Sequence, residues 1–237
     1  MQRNCILFGF LLGLLCLSDA VPVRLTNACP DCGGFDLIVE DRIVFSNVQY
    51  RDLTGIVLHW PGTRAMQIRR TGTMDAIASF KIYLNMENPI TISVINYNEE
   101  GLNYFVNYDW AGSGPDFDQI AIKAVNLSPN VGEIEVLDKN GNVIIRNLGF
   151  LGRSEYVYLP YGDHCFTFRK VSDGTELLTT PTKNIGNWQV NSLFFYGDIV
   201  AEDWHVNYVT DEFHGYDLDL DGPNRPYTNP QLSQTQP

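Results

Sequence analysis

Three cysteines follow the apolar N-terminal run, and their spacing restricts the chemistry that they can perform. Cys29 and Cys32 are separated by two residues, whereas Cys165 lies far along the chain. A Cys-x-x-Cys pair serves as a structural disulfide, as a redox pair at the start of a helix, or as half of a zinc site. This pair precedes Gly33-Gly34 and a strand pattern, and no second Cys or His pair follows at zinc-ligand spacing. A Cys29–Cys32 disulfide is therefore the favoured interpretation, and the redox and zinc sites are the alternatives.

Cys165 is the leftover thiol of this arrangement. Phe166 and Phe168 occupy alternate positions beside it, which predicts that they face a core while Cys165 faces solvent. A free surface thiol at this position could join two chains. A bridge from Cys165 to Cys29 or Cys32 is the alternative pairing.

Carboxylates at alternate positions mark a segment near the C-terminus. Asp217, Asp219 and Asp221 precede Gly222, as in the first half of a calcium-binding loop. The second half of such a loop fails, because its twelfth position is Thr228 rather than a glutamate. Calcium bound by Asp217, Asp219 and Asp221 is therefore the weaker hypothesis, and a solvated acidic segment is the stronger one.

A glycosylation sequon is present at Asn126-Leu127-Ser128. Pro129 follows it directly, and asparagine side chains in such turns hydrogen-bond nearby backbone groups. We therefore expect the side chain of Asn126 to be engaged within its turn. A glycan on Asn126 is the alternative.

Motifs of known enzyme classes are missing from the sequence. It contains no Gly-x-Ser-x-Gly elbow, no phosphate-binding glycine loop and no His-Glu-x-x-His pair, and its four histidines are scattered. The sequence therefore predicts a non-catalytic protein. A hydrolase that uses paired carboxylates is the less favoured alternative.

The N-terminus has the pattern of a secretory signal peptide. Arg3 precedes an apolar run over residues 6–17, and small residues follow up to Ala20. The run is too short to span a bilayer, so we expect no membrane span and a secreted, extracellular chain that begins near Val21. The formal net charge of −12 argues against nucleic acid as a partner, because phosphate backbones require a basic surface.

The chain contains an internal duplication. The segment that starts at Val23, Val-Arg-Leu-Thr-Asn-Ala-Cys-Pro, aligns with the segment that starts at Ile122, Ile-Lys-Ala-Val-Asn-Leu-Ser-Pro. The offset between matched residues is 99 at this segment (122 − 23) and stays at 99 or 100 farther along the chain. The matched positions include Asn27 with Asn126, Gly62 with Gly162, and Val106–Tyr108 with Val206–Tyr208.

Strand-like alternation and turn residues fill both copies, and no helical periodicity is sustained. Residues 134–136 and 143–145 predict a hairpin closed by a tight primed turn at Asn140-Gly141. We expect an all-β protein of two tandem Ig-like antiparallel β-sandwich domains. The predicted boundaries are a signal peptide over 1–20, sandwiches over 21–109 and 119–212, a linker over 110–118, and an acidic, then Pro/Asn/Gln-rich, tail over 213–237.

Several of these segments resemble a known family. The second copy contains Asn126-Leu127-Ser128-Pro129-Asn130 and Tyr156-Val157-Tyr158-Leu159-Pro160-Tyr161-Gly162, and the first contains Asn27-Ala28-Cys29-Pro30-Asp31 and Trp60-Pro61-Gly62. These segments are similar to the secreted domain of unknown function 4397. The resemblance implies tandem Ig-like sandwiches and secretion. It implies no activity and assigns no catalytic or binding residues.

Three function classes follow from these patterns, and the hydrolase described above is the least favoured of them. The favoured one is a secreted structural or matrix-type protein that self-associates, its partner being itself or another extracellular protein. The alternative is an extracellular module that binds carbohydrate or protein. Such a module would need an aromatic platform, for which the candidates are Trp60, Tyr161, Trp188 and Trp204.

Overall fold

The computed structural model describes residues 20–85, 89–96, 102–109, 115–198 and 202–210. Within these ranges every regular element is a β-strand, as the sequence predicts. The strands are β1 (Val21–Asn27), β2 (Phe35–Val39), β3 (Arg42–Val48), β4 (Val57–His59), β5 (Gly62–Arg70), β6 (Ala76–Leu84), β7 (Ile90–Asn96), β8 (Leu102–Tyr108), β9 (Gln119–Asn126), β10 (Ile134–Leu137), β11 (Val143–Leu148), β12 (Val157–Pro160), β13 (Gly162–His164), β14 (Thr167–Lys170), β15 (Glu176–Thr179), β16 (Lys183–Ile185), β17 (Val190–Asp198) and β18 (Asp203–Thr210).

The first eight strands form two sheets around one core. One sheet has the order β4-β1-β7-β8 and the other the order β3-β2-β5-β6. Alternate residues of each strand, such as Val23 and Leu25 on β1 and Met66 and Ile68 on β5, are fully or almost fully buried between them. The period of two in these side chains therefore directs one face of each sheet inward.

The remaining strands repeat this arrangement around a second core. Their sheets have the orders β12-β9-β17-β18 and β11-β10-β14-β15, with a short β13-β16 pair beside them. Phe168 and Phe195 stack in this core at 5.0 Å between ring centroids. Phe166 and Phe168 are both buried, which confirms the alternation predicted for this segment.

The expectation of purely antiparallel sheets is wrong at two strand pairs. β1 pairs with β7 in parallel, and β9 pairs with β17 in parallel. In each case the chain passes through the opposite sheet before it returns, and a long crossover allows the returning strand to run in the same direction. All the other strand pairs of the described residues are antiparallel.

A third apolar cluster lies where the β4-β1-β7-β8 sheet of the first half meets the β12-β9-β17-β18 sheet of the second half, and we call these two the inner sheets. It joins Ala28 and Ile95 of the first half to Val125, Phe194 and other residues of the second half. All seven residues of β1 are buried, so that strand is covered on both faces. The two inner sheets therefore pack against each other as well as against their own outer sheets.

Charged and polar groups occupy another part of this contact. Asp109 is fully buried, and its carboxylate lies 3.9 Å from Arg24 and 3.8 Å from Lys123. Thr91 and Asn107 both donate hydrogen bonds to it. Burial raises the pKa of Asp109, while the two cations and the two hydrogen bonds act in the opposite direction.

The sheet register disagrees with one match of the predicted duplication. Val23 pairs with Ile90 of the next strand, and Ile90 pairs in turn with Tyr108. In the second half, Ile122 pairs with Asn191, and Asn191 pairs in turn with Thr210. Tyr108 therefore corresponds to Thr210 rather than to Tyr208. The shift is two residues, which keeps every side chain on its own face of the sheet.

Candidate functional site

The four aromatic residues proposed as a platform differ in exposure. Trp60, Tyr161 and Trp188 expose 54, 59 and 51% of their surface. Trp204 instead stacks on Phe195 in the second core, with 5.6 Å between ring centroids. Trp204 is therefore a packing residue, and the expectation that it belongs to a binding platform is wrong.

A fourth exposed aromatic residue adjoins Trp188. Phe117 is 67% exposed, and its ring meets the Trp188 ring edge to face, with 5.1 Å between centroids and 77° between the ring planes. The sequence prediction missed Phe117 because it lies inside the stretch assigned to the linker. A usable signal was present, since Phe117 stands between Asp116 and Asp118 and has no apolar neighbour in sequence with which to form a core.

Backbone hydrogen bonds bring the aromatic residues to one place, the start of β9. The Trp188 amide donates to the carbonyl of Gln119 at 2.9 Å, and the Tyr161 amide donates to the carbonyl of Asp118 at 3.2 Å. Phe117 directly precedes these two acceptors. We call Phe117, Tyr161 and Trp188 the aromatic corner.

The backbone of Trp188 has an unusual conformation. Its φ is +64°, in the left-handed region that bulky residues rarely adopt. The residue sits just before β17, where its amide bonds to Gln119 and the chain turns into the strand. The fold thus holds a large apolar side chain in solvent on a strained backbone.

The charged side chains next to Phe117 in the aromatic corner are acidic. Asp116 and Asp118 are exposed on either side of Phe117. Asp163, two residues after Tyr161, accepts a hydrogen bond from the Asn184 side chain at 2.7 Å. The three segments that form the corner, residues 115–119, 158–163 and 186–190, contain no Lys or Arg. Lys139 reaches the corner from another segment, and its Nζ donates to the carbonyl of Asp163 at 2.9 Å.

The cysteines are not members of this corner, although Cys165 follows Asp163 closely in sequence. Cys29 and Cys32 form a disulfide, with 5.5 Å between their Cα atoms, so the structure contains the favoured pairing. Cys165 carries no disulfide and is half-buried rather than fully at the surface. A redox pair would need a helix that starts at the cysteines, and the described residues contain none there. A zinc site would need a second pair of ligands, and the described residues do not supply one.

Asn126 has a structural role in its turn. Its side chain is fully buried, and it donates to the carbonyls of Gly132 and Leu148 at 3.3 and 3.0 Å and accepts from the Ser128 amide at 3.0 Å. This is the engagement expected from the turn motif. A glycan on Asn126 is incompatible with this burial in the folded protein.

The histidines nearest the Pro-Gly turns are also structural. His164 is buried, and its Nε2 is 2.8 Å from the carbonyl of Pro160. His59 lies on β4, and burial lowers its pKa, with the positive charge of Arg64 lowering it further. Among the residues that the structure describes, no group of three or more His, Cys, Asp or Glu side chains could hold a metal ion.

Three sequence predictions fall on residues without a described structure. The calcium hypothesis for Asp217, Asp219 and Asp221 lies outside the described residues, as do the signal peptide up to residue 19 and the tail over 213–237. Where the structure is described, it contains no helix of the length and apolarity needed to cross a membrane.

Solved structures with some likeness to this chain include two glucan-binding proteins. The CBMbc module (family CBM26) of Eubacterium rectale Amy13K, solved with maltoheptaose, is 10% identical, with 79% of this chain and 96% of that chain covered and a TM-score of 0.26. A streptococcal virulence factor described as binding alpha-glucan is 11% identical, with 79% and 97% covered and a TM-score of 0.25. The Bacillus anthracis TIE protein is 11% identical, with 76% and 34% covered and a TM-score of 0.25.

The comparisons by sequence give one family match. No curated protein matches the chain significantly. The sequence predicts a resemblance to this family in both halves of the chain. The family model instead matches the chain once, and the match ends at residue 137. Residues 21–137 match the family described as "Domain of unknown function (DUF4397)".

Proposed function

We propose that this protein is a secreted, non-catalytic binding module that holds a carbohydrate at its aromatic corner. The observation that carries the proposal is Trp188, which is half exposed, strained in its backbone and in edge contact with the exposed Phe117. Backbone strain persists only where the surrounding fold imposes it, and such strain clusters at ligand-binding sites. A tryptophan held in solvent in this way has an apolar face available to a ligand.

The chemistry of the corner suits a sugar. A pyranose ring has C–H groups on its faces, which pack on an aromatic ring, and hydroxyl groups around its edge, which need hydrogen-bond partners. Trp188, Phe117 and Tyr161 supply apolar surface. The exposed carboxylates of Asp116 and Asp118 accept hydrogen bonds from hydroxyl groups. Apolar surface with a few polar groups beside it is the usual composition of a ligand site.

The structural, self-associating interpretation has less support from the described residues. The net charge of −12 opposes association of identical chains through long-range repulsion. Half-burial of Cys165 also makes a disulfide between two chains harder to form. Sedimentation of the mature protein at several concentrations, with and without reductant, tests that alternative.

Secretion remains part of the proposal. A disulfide between Cys29 and Cys32 suits an oxidising compartment, because cytosolic proteins keep such pairs reduced. Mass spectrometry of the secreted protein should find an N-terminus at or near Val21. Recovery of Met1 from the extracellular fraction would contradict this.

We also propose that the chain consists of two tandem copies of one β-sandwich. The support is a repeated set of interactions: Asn27, like Asn126, donates to two carbonyls, those of Gly33 and Val48. Glycines with positive φ, +114° at Gly62 and +127° at Gly162, begin the strands that follow the Pro-Gly turns. Superposition of the halves in an experimental structure tests the proposal, since non-equivalent positions for these pairs would contradict it.

The carbohydrate proposal is tested by binding measurements on the mature chain. A glycan array followed by titration calorimetry should find a glycan whose affinity falls about tenfold or more in Trp188→Ala, since stacked aromatic contacts of this kind contribute on the order of 1 kcal/mol or more. Trp60→Ala is the matched control, because Trp60 is equally exposed and no ring contact of the described residues involves it. Equal losses in both variants would contradict the assignment of the site.

A further inference from the structure

The geometry of the aromatic corner points to a particular class of carbohydrate, and this inference rests on the proposed function. We infer that the corner binds a single, uncharged glycan chain, and that it does not bind flat crystalline polysaccharide or anionic glycans. Two independent observations lead there. One is the angle between the two aromatic rings, and the other is the charge that surrounds them.

The ring angle determines the shape of surface that the corner can contact. A crystalline polysaccharide presents a flat face, and aromatic rings bind such a face only when they lie parallel to one plane. The planes of Phe117 and Trp188 differ by 77°, and their centroids are 5.1 Å apart. A flat face laid on one ring would therefore meet only the edge of the other. A single chain is narrow enough to pack along one ring face with its side against the other ring.

The backbone holds the two rings close together, and their edge contact favours this angle. Trp188 is tied through its amide to the carbonyl of Gln119, and Phe117 lies two residues before Gln119 at the entrance to β9. The strained φ of Trp188 further restricts the directions in which its side chain projects. The ring planes also depend on the side-chain torsions of the two residues. The edge-to-face contact between the rings, at 5.1 Å between centroids, favours this angle in the unbound site by about 1 kcal/mol.

The charge determines which glycans are tolerated. Asp116 and Asp118 are exposed beside Phe117, and Asp163 follows Tyr161 closely. The segments that form the corner contain no Lys or Arg, so a uronate or sulfate group bound beside Phe117 would meet Asp116 and Asp118 without a counter-charge from these segments. Lys139 reaches the corner only on its Asp163 side, where its Nζ donates to the carbonyl of Asp163 at 2.9 Å. Repulsion between two such charges at about 4 Å is on the order of 1 kcal/mol even in bulk water. Uncharged sugars experience no such repulsion, and their hydroxyl groups donate hydrogen bonds to the same carboxylates.

The experiment compares three classes of probe on the mature chain. Soluble uncharged glucan hexasaccharides, one α-1,4-linked and one β-1,4-linked, represent single chains, a uronate hexasaccharide represents anionic glycans, and microcrystalline cellulose represents a flat surface. We expect at least one uncharged hexasaccharide to bind, with affinity reduced about tenfold or more in Trp188→Ala and in Phe117→Ala but unchanged in Trp60→Ala. We expect the uronate to bind at least tenfold more weakly and the cellulose to retain no more wild-type protein than Trp188→Ala protein.

A charge variant isolates the electrostatic part of the inference. Asp116→Asn/Asp118→Asn should raise the affinity for the uronate hexasaccharide severalfold, and added salt should reduce the difference between this variant and the wild type. Retention on cellulose that depends on Trp188, or preferential binding of the uronate, would overturn this inference but leave carbohydrate binding standing. Failure of the folded protein to bind any glycan, on the array and with all three classes of probe, would overturn the proposed function as well.

Discussion

Individual residues at the aromatic corner combine exposure with strain. A tryptophan half in water at positive φ contributes little to folding, because it buries only part of its apolar surface and its backbone conformation is costly. Trp204 is the contrasting case, since it lies against Phe195 and belongs to the second core. Residue type alone did not separate these two tryptophans; their neighbours in space do.

Substitutions of Trp188 test the strain directly. Trp188→Gly and Trp188→Ala both remove the ring contact with Phe117, but glycine adopts positive φ without the Cβ clash that alanine suffers. We expect Trp188→Gly to be more stable than Trp188→Ala by about 1 kcal/mol in urea unfolding, while both lose glycan affinity. Equal stabilities would show that residue 188 is not held in the left-handed region in solution.

His59 gives the stability of the protein a dependence on pH. Burial and Arg64 lower its pKa below that of the unfolded chain, so between the two pKa values the unfolded state binds more protons than the folded state. Stability should therefore decrease as the pH falls through about 6.5, the ordinary pKa of histidine, toward the lowered pKa. Urea unfolding from pH 8 to pH 5 should show a smaller decrease for His59→Gln than for the wild type. An identical decrease in both would assign the effect to other groups.

At the scale of elements, close packing between neighbouring strands places Trp204. Gly197 on β17 is paired with Trp204 on β18 and has φ +156°. A Cβ at this position would overlap the Trp204 ring and lie 2.9 Å from the carbonyl oxygen of Asp203. The glycine is therefore required by the approach of the two strands.

Gly197→Ala should destabilise the protein by about 3 kcal/mol, from backbone strain and overpacking together. Gly149→Ala is the matched control, because a Cβ there meets nothing within 4 Å and its φ is outside the left-handed region. Thermal or urea unfolding measures both. A loss no larger than that of Gly149→Ala would mean that β17 and β18 separate at this position without cost.

The hairpin between β10 and β11 shows how far turn residues predict an element. The hairpin forms where the sequence predicts it, and Gly141 has φ +81°. The turn is longer than the expected two-residue primed turn, because Asp138 closes it by accepting from the Asn140 and Asn142 amides at 2.9 and 2.8 Å. A side-chain cap replaced the second left-handed residue that a primed turn needs.

At the scale of the whole molecule, the halves share an interior with a buried charge cluster. Asp109 lies between Arg24 of β1 and Lys123 of β9, and Lys123 also donates to the carbonyl of Tyr108 at 2.8 Å. Tyr196 and Thr26 add a hydrogen bond of 2.6 Å across the same contact. We therefore expect the halves to unfold together rather than as separate units.

A double-mutant cycle tests the cluster. Asp109→Asn leaves buried cations without their carboxylate and should cost about 3 kcal/mol or more, as breaking a buried ion pair usually does. Lys123→Met combined with Asp109→Asn should cost less than the sum of the single changes by about 1 kcal/mol or more. Additive losses in urea unfolding would show that Asp109 and Lys123 do not interact across the contact.

The local sequence was enough to predict the strand content, the inward faces of the strands, the Cys29–Cys32 disulfide and the turn role of Asn126. These features depend on residues close together in the chain, through alternation, short loop closure and hydrogen bonding within a turn. Only the tertiary structure decided that Arg24 and Lys123 are buried and that Phe117 meets Trp188. The faces of β1 and β9 that point away from their own cores are covered by the sheet of the other half, which comes from a distant part of the chain. The rings of Phe117 and Trp188 are 71 residues apart in sequence (188 − 117). Local periodicity shows which face of a strand a side chain occupies, but a second layer that packs against that face decides whether the side chain meets water.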